Sequence, residues 1–169
     1  MYVGQGNKAS TEKPEGPVLT HASIMTKVKR GARPDIGPMH FRSRYEANVA
    51  RYFNFLKLPW KYEPQKFVFH GYSTAPVCYT PDFEVQDGNR IWLVEVKGHW
   101  RGTDRQKLRR LKKQHPDAFS RIWIISKWGR GEKGIKEQAM LRKIGPDFRI
   151  SNYRALAEQA GMIPGWEGR

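Results

Sequence analysis

The chain holds a single cysteine, Cys78, in 169 residues, so no intrachain disulfide can form and no cysteine cluster is available for a structural zinc. That usage suits an intracellular protein. The first thirty residues lack the apolar stretch of a signal peptide, and runs such as Ile122-Trp123-Ile124-Ile125 are far too short to span a bilayer. No membrane role is expected. Acid is scarce too: 31 Lys and Arg stand against 16 Asp and Glu, giving a formal charge of +15. A positive potential of that size calls for a polyanionic partner, of which nucleic acid is the commonest, although it says nothing about catalysis.

The length fits one compact domain with an appended arm. Residues 1–38 are rich in Gly, Pro, Ser, Thr and Lys, carry the breakers Pro14, Pro17, Pro34 and Pro38, and show no apolar periodicity. They read as a flexible basic arm, whose Lys27, Lys29, Arg30 and Arg33 could reach a phosphate backbone or simply stay solvated. The domain proper is expected over 39–169.

Ser43 is placed to cap a helix running to about Lys57, with Tyr45, Val49, Phe53 and Leu56 as its core-facing stripe. Glu46 leans toward that buried side, where an unpaired carboxylate is costly. It reads either as a site residue compensated by a cation or as a boundary glutamate paired with Arg42 or Lys57. Strands follow at about 65–70 and 79–86, then the turn signal Asp87-Gly88-Asn89 and a strand at 90–97. In one hairpin register Gln86 faces Ile91 and Asp82 lies opposite Glu95; in the other the two acids stand one diagonal step apart. Either register puts them on one face, together with Lys97, while Phe83, Val85, Trp92, Val94 and Val96 share the other.

Beyond Gly98, a basic helix is predicted from Asp104 to His115, burying Leu108 and Leu111. A short apolar strand at 121–126 has the look of one covered on both faces. Helices near 134–143 and 152–160 complete a helical C-terminal part at 134–169. The fold class is α/β, a central mixed sheet flanked by helices.

Phosphodiester hydrolysis needs an activated water and stabilisation of charge on the phosphoryl oxygens, both of which divalent metals supply. Mg²⁺ prefers oxygen ligands, so Asp82, Glu95 and the backbone carbonyl of Val96 make a credible site, with Glu46 able to complete a second position. Lys97 could orient or deprotonate the attacking water, or neutralise transition-state charge. Glu84 could be a third ligand but suits a Lys-paired surface position better; His70, His99 and His115 lack metal-ligand spacing. The glycines at 129, 131 and 134 are followed by no Gly-Lys-Ser/Thr, which argues against a nucleotide-binding loop. A bare Glu-x-Lys would mean little by itself. The helix Glu, the motif Tyr79-Thr80-Pro81-Asp82-Phe83, the turn, Val94-Glu95-Val96-Lys97-Gly98 and a basic helix, in that order, mean more.

That order resembles the PD-(D/E)xK nuclease superfamily, with its restriction-endonuclease-like core, and in particular the bacteriophage endonuclease I family of Holliday-junction resolvases. The resemblance spans about residues 42–126 and includes Arg42-Ser43-Arg44-Tyr45-Glu46, Trp100, Asp104-Arg105, Lys107 and Gln114-His115-Pro116. It implies Glu46, Asp82, Glu95 and Lys97 as the catalytic set and a Mg²⁺- or Mn²⁺-dependent homodimer that cuts branched DNA on two strands. The Glu46 helix would be open to exchange between subunits. Arg42, Arg44, Trp100, Arg101, Arg105, Lys107, Arg109, Arg110, Lys112 and Lys113 are the expected DNA contacts. Other outcomes compatible with these motifs are a related nuclease acting on mismatches, ends or specific sites, and a non-catalytic nucleic-acid-binding protein.

Overall fold

The computed structural model of the chain describes residues 33–168. Most of the expected arm lies outside them, as do Lys27, Lys29 and Arg30; its described end forms a 3-10 turn, Pro34–Ile36, whose Ile36 is buried. Helix α1, Arg44–Phe55, starts where Ser43 Oγ accepts from the backbone N–H of Glu46 at 3.2 Å. This is an N-cap of the kind serine favours. Val49 and Phe53 are buried as expected. Leu56 is exposed instead, because the helix ends before it and the chain turns through Lys57, whose φ is +55°.

The strand expected over 79–86 is divided in two. Pro81 has no N–H to offer a ladder, so Cys78–Tyr79 (β3) pairs with Phe67–Val68 (β2) in a small separate sheet, while Phe83–Asp87 (β4) joins the main one. The main sheet also holds Trp60–Tyr62 (β1), Arg90–Lys97 (β5), Ile122–Ser126 (β6) and Arg149–Asn152 (β7), in the order β1-β4-β5-β6-β7. β1, β4 and β5 run antiparallel, and β5, β6 and β7 run parallel. This is the mixed sheet expected. The β4–β5 turn is tight, with Asp87 facing Arg90 and Gln86 facing Ile91. Gly88, at the first turn position, has φ +60°, as a type II′ hairpin requires.

Helices cover both faces. Alternation along β4 and β5 sends Phe83, Val85, Trp92, Val94 and Val96 toward α1 and toward α5 (Tyr153–Glu158), in one core with Val49, Phe53, Tyr153 and Leu156. The opposite face packs Tyr79, Leu93, Ile122 and Ile124 against Leu108 and Leu111 of α2 (Gly102–Gln114), Ala118 of α3 (Pro116–Phe119) and Leu141 of α4 (Glu132–Ile144). The face that carries the acids is therefore itself a core, a point that alternation alone does not reveal. Among the described residues, no helix is long and apolar enough to cross a membrane.

Candidate active site

Residue 82 falls one step beyond the β4–β5 ladder. Continuing the observed register brings it opposite Glu95, and Asp82 Oδ2 accepts a hydrogen bond from the backbone N–H of Val96 at 2.7 Å. The chain thus has a local reason to hold this carboxylate at the strand end. Both acids are buried. Lys97 reaches back along the same face to place Nζ 2.6 Å from Glu95 Oε1 and 3.5 Å from Asp104 Oδ1. Asp104 also anchors the start of α2, where its Oδ2 accepts from the N–H of Arg101 at 2.8 Å. The first turn of the basic helix is fastened by this residue to the site lysine.

Electrostatics follow from burial. Desolvation pushes the Asp82 carboxyl well above the usual range, and the neighbouring charge of Glu95 pushes it further; Lys97 and the Val96 N–H oppose this incompletely. Burial pulls the Lys97 ammonium down, but Glu95, Asp82 and Asp104 together more than offset it, so its pKa is raised. Tyr79 is raised by burial and by the adjacent Glu95 charge. Two buried atoms here, Tyr79 Oη and Glu95 Oε2, have no hydrogen bond among the described residues.

Glu46 comes from α1, which packs on the other face of the sheet from α2, and is engaged by its own neighbours. Oε2 accepts from Tyr62 Oη at 2.6 Å and from the N–H of Arg42 at 3.0 Å, and Oε1 accepts from Ser43 Oγ at 2.8 Å. Its charge still adds to the upward push on Asp82. Among the described residues, no three His, Cys, Asp or Glu side chains converge as a metal cluster. The donors that do converge are the Asp82 and Glu95 carboxylates. Their all-oxygen chemistry and the bare Glu95 Oε2 suit a hard dication, which would also relieve the repulsion between them.

Of the expected DNA contacts, two are spent on the fold. Trp100 is 6% exposed and donates its indole N–H to Ser126 Oγ at 3.0 Å, so no base can stack on it. Arg110 is equally buried; it lies over the Tyr72 ring and donates to the carbonyls of Thr74 and Pro76. Arg42 is engaged with Glu63, and Arg105 donates to Met140 Sδ at 3.1 Å. Arg44, Arg101, Arg109, Lys112 and Lys113 are exposed, and Lys107 is half-buried. Glu84 pairs with Lys61 at 3.2 Å, as a surface residue would. Sequence reasoning missed Tyr62, Tyr79 and Asp104 as partners of the site. Asp104 alone left a signal, an acid three residues into a helix start.

The model of the family described as phage endonuclease I matches residues 26–137, about two-thirds of the chain. The chain belongs to the phage endonuclease I family. That match takes in Glu46, Asp82, Glu95, Lys97 and the whole of α2, whereas β7 and α5 of this family member lie beyond it. Endonuclease I of Escherichia phage T7 is 34% identical over 86 residues, 51% of this chain and 55% of that protein. The chain thus spans about half the length of the curated relative it matches. The crystal structure of a protein of unknown function, AF1548, aligns with a TM-score of 0.46 at 15% identity over 70% of this chain and 67% of that one, a likeness too slight to bear on function.

Proposed function

We propose that the protein is a structure-selective DNA endonuclease that resolves four-way junctions as a homodimer, with Mg²⁺, or Mn²⁺ in its place, held by Asp82 and Glu95. The observation that carries this reading is the buried pair of carboxylates, one oxygen bare, beside Lys97 at the strand end of a strongly basic member of an endonuclease family. A dication bound there supplies a polarised water and a counter-charge for the phosphoryl oxygens. Water adds at phosphorus, the P–O3′ bond breaks, and the departing oxygen takes a proton to leave a 3′ hydroxyl and a 5′ phosphate.

Glu95, Asp82 and Asp104 favour the charged form of Lys97 and a dication beside it would oppose them, so the side chain is placed to hydrogen-bond a phosphoryl oxygen or to orient or deprotonate the attacking water. Asp104 positions Lys97 from α2, and Tyr79 lies ready to donate to the Glu95 carboxylate. Glu46 joins the catalytic set on the strength of the family pattern. Tyr62 and Ser43 would then orient its carboxylate toward a second metal. In a homodimer two such sites would cut two strands, with or without exchange of α1.

The test offers the protein a four-way junction, a mismatched duplex, a linear duplex and single-stranded DNA in Mg²⁺, with the cuts mapped. Paired, symmetric nicks across the junction are expected. Equal cutting of linear duplex would remove junction selectivity, and binding without any cutting in Mg²⁺ or Mn²⁺ would leave a non-catalytic binder.

A further inference from the structure

Two cavities adjoin at the end of the sheet where β5 and β6 finish, with volumes of about 480 and 310 Å³, and Tyr45, Lys127 and Arg154 line both. Gly98 and His99 line the larger one, so it begins one residue past Lys97. The backbone N–H of Lys127 donates to the carbonyl of Lys97 at 2.8 Å, which ties the floor of the cleft to the strand of the candidate active site. Alternation along β6 points Lys127 to the α1 side of the sheet, opposite to Lys97. The cleft and the acids are therefore neighbours around the C-terminal ends of β5 and β6, separated by Gly98.

The cleft is strongly positive. Arg44, Lys127, Arg130, Lys133 and Arg154 line it, and none of them pairs with a carboxylate among the described residues. The two acids in its walls are occupied elsewhere: Glu137 Oε2 accepts from the N–H of Gly129 at 3.1 Å, and Glu167 is held by Arg33 and Arg51. Tyr45 organises the cations. Lys127 Nζ donates to its hydroxyl at 3.3 Å, and Arg44 and Lys127 lie 5.5 and 5.7 Å from its ring centroid. A Cβ on Gly98 would come within 3.2 Å of that ring, so glycine is what lets Tyr45 lie against the strand end.

We propose that the Tyr45–Lys127–Arg154 cleft is a subsite for the sugar-phosphate backbone of DNA beside the cleaved phosphate. It would receive the strand as it passes over Gly98 from the acidic face to the α1 face. Unpaired cations lining a concavity match a run of phosphates, and phosphate contacts set register without reading sequence. Lys127 and Arg154 are positioning residues in this scheme. The inference rests on the nucleic-acid reading above, but Lys127 and Arg154, which carry it, are in neither the expected DNA contacts nor the proposed catalytic set; of the cleft's cations only Arg44 was among those contacts.

The experiment measures binding of an uncut four-way junction by the full chain in EDTA across a salt series, together with interference by phosphate ethylation. For the K127A/R154A double variant, affinity should fall about tenfold or more, and the slope of log K against log salt should shrink by about 2. Ethylation of phosphates on one side of the cut should interfere with the wild type and not with the variant. A charge-matched control, K66A/K143A, removes exposed lysines that line neither cavity and should bind within about twofold of wild type. Should the double variant melt early, the single K127Q change on an exposed side chain carries the test, with a slope change of about 1. An unchanged slope, or weaker binding with the interference pattern intact, would overturn the subsite. Wild-type cutting in Mg²⁺ would at the same time leave the nuclease reading standing.

Discussion

Arg51 and Glu95 are buried almost equally, at 6% and 5% exposed, yet their surroundings differ in kind. Around Arg51 the charges are opposite and the polar atoms matched. Nε donates to Asp35 at 2.6 Å, and Nη1 to Glu167 at 2.9 Å and to Asn48 at 3.1 Å. Asn48 in turn donates to Tyr153 Oη at 2.8 Å and to the Glu167 carbonyl at 2.9 Å. That network fastens the start and end of the described chain to α1. Around Glu95 the one cation, Lys97, is shared between Glu95 and Asp104 while a second carboxylate, Asp82, stands beside them; one Glu95 oxygen is bare, and Asp82 is pushed toward its neutral form. Buried polar groups that are fully matched hold a fold; those left unmatched at a strand end suit a ligand.

The comparison breaks most visibly if both regions respond alike to substitution. Glu95→Ala should lower junction cleavage by about 10³-fold or more, the loss of several kcal/mol of transition-state stabilisation, while junction binding in EDTA persists. Timed cleavage and a gel shift check the two halves. Arg51→Ala should act in reverse. Removing a buried cation from its partners costs about 3–5 kcal/mol where the whole pair is buried, and the partial exposure of Asp35 and Glu167 reduces that to about 2 kcal/mol. Urea unfolding would measure it, and cleavage per folded molecule should be unchanged.

A smaller effect comes from pH. The Arg33 hydrogen bond, then that of Arg51, holds the Glu167 carboxyl down to about 2, against an ordinary 4.5. A depressed carboxylate contributes stability that is complete above its unfolded pKa and is lost as pH falls through the folded one. Stability should therefore decline between about pH 5 and pH 2, and Glu167→Gln should flatten that decline in pH-dependent melts. An equally steep decline in the variant would remove Glu167 from the clasp.

The two regions were also unequally legible. Strand alternation and the Asp-Gly turn placed Asp82, Glu95 and Lys97 on one face, and the open choice of register closes on Gln86 opposite Ile91. Glu46 was visible as a misplaced acid on an apolar helix, though not its grip by Tyr62. The clasp was invisible, because Asp35 and Glu167 lie at opposite ends of the described chain and no local pattern joins them. β1 and β7 escaped for a different reason: each is short, and β7 mixes polar residues with one apolar side chain, Ile150. Arg110 misled because a basic helix displays its charges in sequence, whereas only packing shows which of them turn inward; Trp100, just before that helix, misled because an aromatic reads alike as a stacking platform and as core.

Calorimetric titration of Mg²⁺ or Mn²⁺ into the 169-residue chain tests the central contrast most directly. Saturable binding to the wild type, lost in both Glu95→Ala and Asp82→Ala and kept in Arg51→Ala, is the predicted result. Binding that survives loss of either carboxylate, or no saturable binding to the wild type, would contradict a metal site built on Asp82 and Glu95.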